Sequence, residues 1–321
     1  LAEGLLLNII ILIAALLVLT KSSHITITNA VKVSNATGFG KTTIGFLLIA
    51  FATSLPELVV SVFAALGQGA VGVAVGNVLG SNIANVCLIL GVCILIATLK
   101  NVRGTNFTIL ITKEEVGSLY FGLFMASIIP LGLLYLKEAS SYIGVVLLMI
   151  FIFNTYQLSR ERTSSKEDVS EKECAKVLPC LLWTLIGIIG VIVCAYFLVD
   201  SASYVALALG VPPLVIGATV VAFGTSIPEL ATSVEATRQG HLNLAFGNII
   251  GSGFINLTCI LGVTLISSPF NVNISAFSDL VIFSLISNLL LWYFISNDRI
   301  GWREGVMLVF LYITFLFVSF S

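Results

Sequence analysis

Ten stretches of apolar residues, each close to the length that crosses a bilayer, follow one another along this chain: residues 4–20, 43–66, 71–97, 114–136, 142–158, 178–200, 214–237, 243–268, 277–296 and 301–320. A hydrocarbon core about 30 Å thick asks for roughly 20 apolar residues per helix. Lipid offers no partner to an open sheet edge, and a barrel would need short alternating strands. The pattern therefore predicts an all-α polytopic membrane protein of ten transmembrane helices. Of the 321 residues, 10% are charged, against about 25% in a soluble domain. A net charge of −1 leaves no basic field for a nucleic acid to feel.

Lys and Arg mark the cytoplasmic side of a membrane protein. Fourteen of the 15 fall after odd-numbered runs, and only Lys137 falls after an even one. Both termini are accordingly expected outside and the odd-numbered loops in the cytoplasm. The longest of these loops, residues 159–177, is charged and Ser-rich and reads as a solvated linker. It divides the chain into residues 1–158 and 178–321. Five cysteines, Cys87, Cys93, Cys180, Cys194 and Cys259, lie inside apolar runs, and no Cys-x-x-Cys pair points to a metal or redox site. They read as small buried residues, and His24 and His241, at run edges, as interfacial ones. The first residue is Leu, which points to a trimmed start.

The two parts repeat one another. Residues 44–58, IGFLLIAFATSLPEL, share nine of fifteen positions with residues 216–230, IGATVVAFGTSIPEL. Residues 76–92, GNVLGSNIANVCLILGV, share nine of seventeen with residues 247–263, GNIIGSGFINLTCILGV. With five spans per copy, the second copy enters the membrane from the opposite side. The chain is thus expected to form two inverted five-helix repeats, with motifs at 44–92 and 216–263. Corresponding residues of an inverted pair meet near the midplane, where transporters bind their substrates. Pro56 and Pro228 should interrupt their helices, and Gly76, Gly80, Gly247 and Gly251 should let spans bend or approach closely.

Glu57 and Glu229 lie mid-span at equivalent motif positions, with no Lys or Arg placed to pair with them. An ionised carboxylate there costs several kcal/mol unless compensated, so a bound cation or a proton should supply the counter-charge. Thr53, Ser54, Thr225 and Ser226, three and four residues earlier, belong to the same face of a continuous helix and offer hydroxyls. Asn77, Ser81 and Asn85, with Asn248, Ser252 and Asn256, offer oxygens at spacings of four. Hard oxygens without imidazole or thiolate suit Ca2+, which takes six to eight of them. Glu235, whose counterpart is Phe63, reads as a helix-end residue, as do Asp200 and Asp279.

TSLPEL and TSIPEL, each followed by GN-x-x-GS and an Asn, resemble the two α-repeats of the calcium/cation antiporter superfamily, which includes sodium/calcium and cation/proton exchangers. The resemblance covers the whole ten-span plan. It implies alternating access, with spans 2, 3, 7 and 8 forming the ion site and spans 1 and 6 sliding past them. It implies Glu57 and Glu229 as calcium ligands, Thr53 and Thr225 as adjacent oxygen donors, Ser81 and Ser252 as motif serines, and Asn85 as a polar site residue. Sodium/calcium exchangers usually carry Asp where this chain has Asn256, so the site holds two carboxylates rather than three.

Ca2+ with Glu57 and Glu229 is neutral, and the emptied pair is neutral again if each glutamate carries one proton. This arithmetic favours a secondary antiporter exchanging Ca2+ for H+, and the resemblance then implies the prokaryotic calcium/proton exchanger branch and the plasma membrane of a prokaryote. The alternative is Na+/Ca2+ exchange, since two Na+ balance the same charges. Ca2+ is the transported ion, the bilayer is the other partner, and no cofactor is expected. A channel also places acids in a membrane path, but internal inversion and the lack of an evident pore helix argue against it. An intramembrane hydrolase would pair Asp residues, and no His or nucleophile accompanies these glutamates.

Overall fold

The structure, a computed structural model, describes residues 2–37, 51, 53–67, 71–100, 124–125, 127–135, 138–160, 177–238, 240, 242–268, 270–271, 274–296 and 300–320. Among these residues the protein is helical apart from one two-residue ribbon. The helices are α1 (Ala2–Thr37), α2 (Leu55–Leu66), α3 (Val71–Ile83), α4 (Gly91–Lys100), α5 (Ser141–Arg160), α6 (Val177–Leu209), α7 (Pro213–Ile216), α8 (Ala222–Thr225), α9 (Ile227–Arg238), α10 (Leu242–Ile255), α11 (Leu261–Ser267), α12 (Ile274–Ser296) and α13 (Trp302–Ser319). Three wider π-helical turns, Ala84–Leu90, Gly217–Val221 and Asn256–Ile260, join α3 to α4, α7 to α8 and α10 to α11. Strands β1 (Glu138–Ala139) and β2 (Phe270–Asn271) pair antiparallel.

Six of the described helical stretches are long and apolar enough to cross a membrane, and the bent pair Pro213–Thr225 and Ile227–Arg238 makes a seventh. Their outward faces carry large apolar side chains such as Leu6, Leu17, Ile186, Ile189, Phe310 and Phe317, all exposed, a surface that only lipid tolerates. Most of the expected span 114–136, the first residues of the span 43–66 and nearly all of the linker lie outside the described residues.

Two helices run beyond the lengths expected from hydropathy. Helix α1 has 36 residues and α6 has 33, or about 50 Å each at 1.5 Å per residue. In the polar second half of α1 side-chain donors are satisfied on their own helix: Thr20 donates to the carbonyl of Leu16 (2.8 Å), Thr26 to Ser22 (2.9 Å) and Asn29 to Ile25 (2.8 Å). Helix α6 stops at Gly210, whose φ of +67° places it in the left-handed region. The amide of Val211 then reaches back to Ala206 (3.0 Å) and that of Gly210 to Leu207 (3.3 Å), the double closure a C-terminal glycine permits. Pro212 and Pro213 follow, and Pro213 opens the next helix, where its missing N–H has no partner to lose.

Helices α1 and α6 pack antiparallel. Ser22 and Thr26 sit directly on Gly190 and Gly187, while Gly4 sits under the Tyr204 ring. The seam continues through Leu12, Ala15 and Leu19 against Ala195, Leu198 and Ala202, and on to Val60 and Ala64 of α2.

A second close contact fixes the centre of the bundle. Gly72, Gly76 and Gly80 form one ridge of α3, and Gly76 and Gly80 touch the backbone of Leu214 and Ala218. In return, Gly217 touches the backbone of Val73. No side chain separates these helices, so their backbones are held at the shortest spacing that packing allows.

Candidate ion-binding site

Each motif breaks its helix at the serine before the proline. Ser54 has φ −81° and ψ 5°, and Ser226 has φ −84° and ψ 6°, the sparsely allowed region between helix and strand. Pro56 and Pro228 then take the second position of α2 and α9, where the absent N–H costs nothing. The break at Ser226 bends the seventh span by 46°. Glu57 and Glu229 follow in the first turns of α2 and α9, where the positive end of a helix favours a carboxylate.

The break redirects the hydroxyls. On a continuous helix Ser54 would accompany Glu57 and Ser226 would accompany Glu229; instead they cross. Ser54 donates to Glu229 (3.4 Å), and Ser226 donates to Glu57 (3.1 Å). Thr53 likewise lies against the Glu229 carboxylate and Thr225 against that of Glu57. Ser252 of α10 also donates to Glu229 (3.1 Å) and touches the Ser54 hydroxyl. Both glutamates have no solvent exposure. Among the described residues no basic side chain is a partner of either.

Asn77 and Asn248 do different work from the rest. The Asn77 amide donates to Ser61 (3.0 Å) and to the Glu57 backbone carbonyl (3.3 Å), while its oxygen accepts from Thr225 (3.0 Å). The Asn248 amide donates to Ser233 (3.1 Å) and Thr232 (3.3 Å). These bonds tie α3 to α2 and α10 to α9, holding each glutamate-bearing helix against its neighbour. Ser61 and Ser233 were not singled out in the sequence. The signal was present, because the repeat continues past Leu58 and Leu230 to a shared Ser-Val at residues 61–62 and 233–234.

Ser81, Asn85 and Asn256 are fully buried. Asn85 is the second residue of one π-helical turn, and Asn256 opens another. The Ser81 hydroxyl, both amide atoms of Asn85 and of Asn256, and the Oε2 atoms of Glu57 and Glu229 have no hydrogen-bond partner. Leaving a buried polar group unsatisfied costs about 1–3 kcal/mol. Buried, unsatisfied oxygens of this kind on the helices that carry the motifs suit an oxygen-seeking cation. No group of three or more His, Cys, Asp or Glu residues is gathered among the described residues, so a cation here would meet two charges and otherwise neutral oxygens. Outside this cluster, Asp200, Glu235 and Asp279 are exposed. Cys87, Cys93, Cys194 and Cys259 are buried, whereas Cys180 is half-buried.

Comparison with known proteins gives this arrangement a setting. Residues 7–159 and 180–321 match the sodium/calcium exchanger protein family. The chain is 30% identical to the sodium/calcium exchanger MaX1 of Methanosarcina acetivorans over 98% of each chain. It is 32% identical to the putative antiporter CaxA of Alkalimonas amylolytica over 87% of this chain and 88% of that one. A solved structure of the sodium-calcium exchanger NCX_Mj superposes with a TM-score of 0.68 at 28% identity, covering 97% of this chain and 98% of that chain. The H+/Ca2+ exchanger CAX shares the fold with a TM-score of 0.79 at 14% identity, over 98% of this chain and 86% of that one. Because the matched segments contain both motifs and both buried glutamates, the chain belongs to the sodium/calcium exchanger protein family.

Proposed function

We propose that this chain is a secondary antiporter that carries Ca2+ across a membrane in exchange for protons, using one site alternately open to either side. The observation that carries the proposal is the pair of fully buried glutamates, each held by the other motif's serine and neither matched by a basic group among the described residues. Ca2+ neutralises the pair, and two protons neutralise it again when Ca2+ leaves. In this reading Glu57 and Glu229 are both metal ligands and proton carriers. Thr53, Thr225, Ser54, Ser226, Ser81, Ser252, Asn85 and Asn256 supply oxygens, and Asn77 and Asn248 hold the glutamate-bearing helices in place. The family of exchangers to which the chain belongs supports transport rather than catalysis.

The reading includes ten spans in two inverted five-helix repeats, residues 1–158 and 178–321, with residues 159–177 in the cytoplasm, both termini outside and the protein in a prokaryotic plasma membrane. Alternation would come from α1 and α6 sliding over the central helices. The small side chains of their inner face, among them Ala15, Ala195, Ala202 and Ala206, suit such a motion.

A second reading replaces protons with Na+. It is favoured by the names of MaX1 and NCX_Mj, both sodium/calcium exchangers similar to this chain along nearly its whole length, and it satisfies the same charge count. Ca2+ uptake into proteoliposomes separates the two. An outward proton gradient imposed without Na+ is expected to drive uptake. Flux that follows a sodium gradient and ignores pH would replace the proton reading with the sodium one.

The crossed serines give a further expectation. Ser54→Ala or Ser226→Ala removes one bond to a charged acceptor, an interaction of about 1.5–3 kcal/mol. Half-maximal flux should then require roughly ten to a hundred times more Ca2+. Threonine at either position, which keeps the hydroxyl, should preserve most of the affinity, as Ca2+ titrations of transport would register.

A further inference from the structure

Asn82 is 3% exposed, and neither its amide nitrogen nor its oxygen has a hydrogen-bond partner. It lies between Ser81 and Asn85, which have just been placed at the site, yet it points to a different neighbour. Its Oδ1 faces Gly253 of α10, 3.3 Å from where a Cβ on that glycine would lie. Gly253 in turn follows Ser252, a hydrogen-bond donor to Glu229. In the repeat alignment Asn82 and Gly253 occupy the same position, GSN in the first motif and GSG in the second. Equivalent positions of the two motifs therefore meet where α3 crosses α10. One carries a carboxamide, and the other carries no side chain at all.

A second asparagine at 253 would crowd the first, and apolar residues at both positions would leave no orphaned amide. The combination present keeps one neutral oxygen at the crossing together with room beside it. An uncharged oxygen of this kind adds to a cation's shell without changing the charge count that exchange depends on. We propose that Asn82 is a further ligand of the transported Ca2+, its Oδ1 entering the shell through the notch left by Gly253. This rests on the antiporter reading above.

The test is Ca2+ titration calorimetry on the purified full-length protein in detergent, with thermal melting as the measure of folding. Asn82→Ala keeps helix propensity high and is expected to weaken Ca2+ binding about tenfold, the size of one lost polar interaction. The exchange variant Asn82→Gly with Gly253→Asn returns a single carboxamide to the crossing from the other helix, and binding should recover to within about twofold of the original. Unchanged affinity in Asn82→Ala overturns the assignment. So does an exchange variant that melts like the original chain yet binds as weakly as Asn82→Ala. A parent chain that binds no Ca2+ overturns both this inference and the antiporter reading. Binding that is lost in Glu57→Gln but untouched in Asn82→Ala overturns this inference alone.

Discussion

Glu57→Gln and Glu229→Gln are each expected to lower Ca2+ exchange at least about a hundredfold, equivalent to ~2.7 kcal/mol, without unfolding the protein. Glutamine keeps the shape of the side chain and an oxygen that can still accept from Ser226 or from Ser54 and Ser252. What it removes is half of the charge that Ca2+ meets, since among the described residues no third acidic side chain joins the pair. Stability should move the other way. A buried, unpaired carboxyl carries a cost in either state, several kcal/mol of desolvation when charged and the uptake of a proton from neutral buffer when not, and both glutamates have no exposure. In ion-free buffer at neutral pH the glutamine variants should melt at or above the temperature of the parent chain. Radiolabelled Ca2+ flux into proteoliposomes and thermal melting read the two effects separately. Transport at the parent rate in either variant would end the shared-site account.

Gly80→Ala is expected to destabilise the fold strongly, and Gly76→Ala nearly as much. A Cβ at Gly80 falls on the backbone of Ala218, and one at Gly76 falls on the carbonyl of Leu214. Side chains relieve overlap by changing rotamer, but a backbone cannot. Overpacking a core costs about 1–3 kcal/mol, occasionally more, and an overlap with main-chain atoms belongs at or beyond the top of that range. The control is Gly132→Ala, in the helical residues 127–135, where an added Cβ meets nothing within 4 Å among the described residues and helix propensity rises by about 1 kcal/mol. Melting curves in one detergent should show Gly80→Ala strongly destabilised and Gly132→Ala slightly stabilised. Equal curves would mean that α3 and the seventh span are not in backbone contact.

The glutamate pair was legible in the sequence because a charge inside an apolar run is rare, and two at matched positions of a repeat are rarer. The close approach at Gly76 and Gly80 was legible for a related reason, since glycines four residues apart leave one helix face bare. The crossing of Ser54 to Glu229 and Ser226 to Glu57 was not legible. A spacing of three residues specifies a shared face only if the helix is continuous, and in both motifs it breaks at that serine. The length of α6 was masked by Asp200, which reads as a span end although apolar residues continue to Leu209, and that of α1 by its polar second half, whose Thr26 and Asn29 side chains bond to their own helix. The π-helical turns at Asn85 and Asn256 leave no compositional mark. Ser61 and Ser233 are harder to see because the copies diverge on both sides of them, Val59-Val60 against Ala231-Thr232 and Phe63 against Glu235.

The crossed hydroxyls make each half of the chain a debtor to the other. A break introduced between residues 160 and 177 would yield two fragments, each keeping an acid and each lacking the serine that steadies it. Neither fragment alone could retain the ion, and recovery on mixing would rise with the product of the two fragment concentrations, because a complete binding centre exists only where one molecule of each kind has found the other.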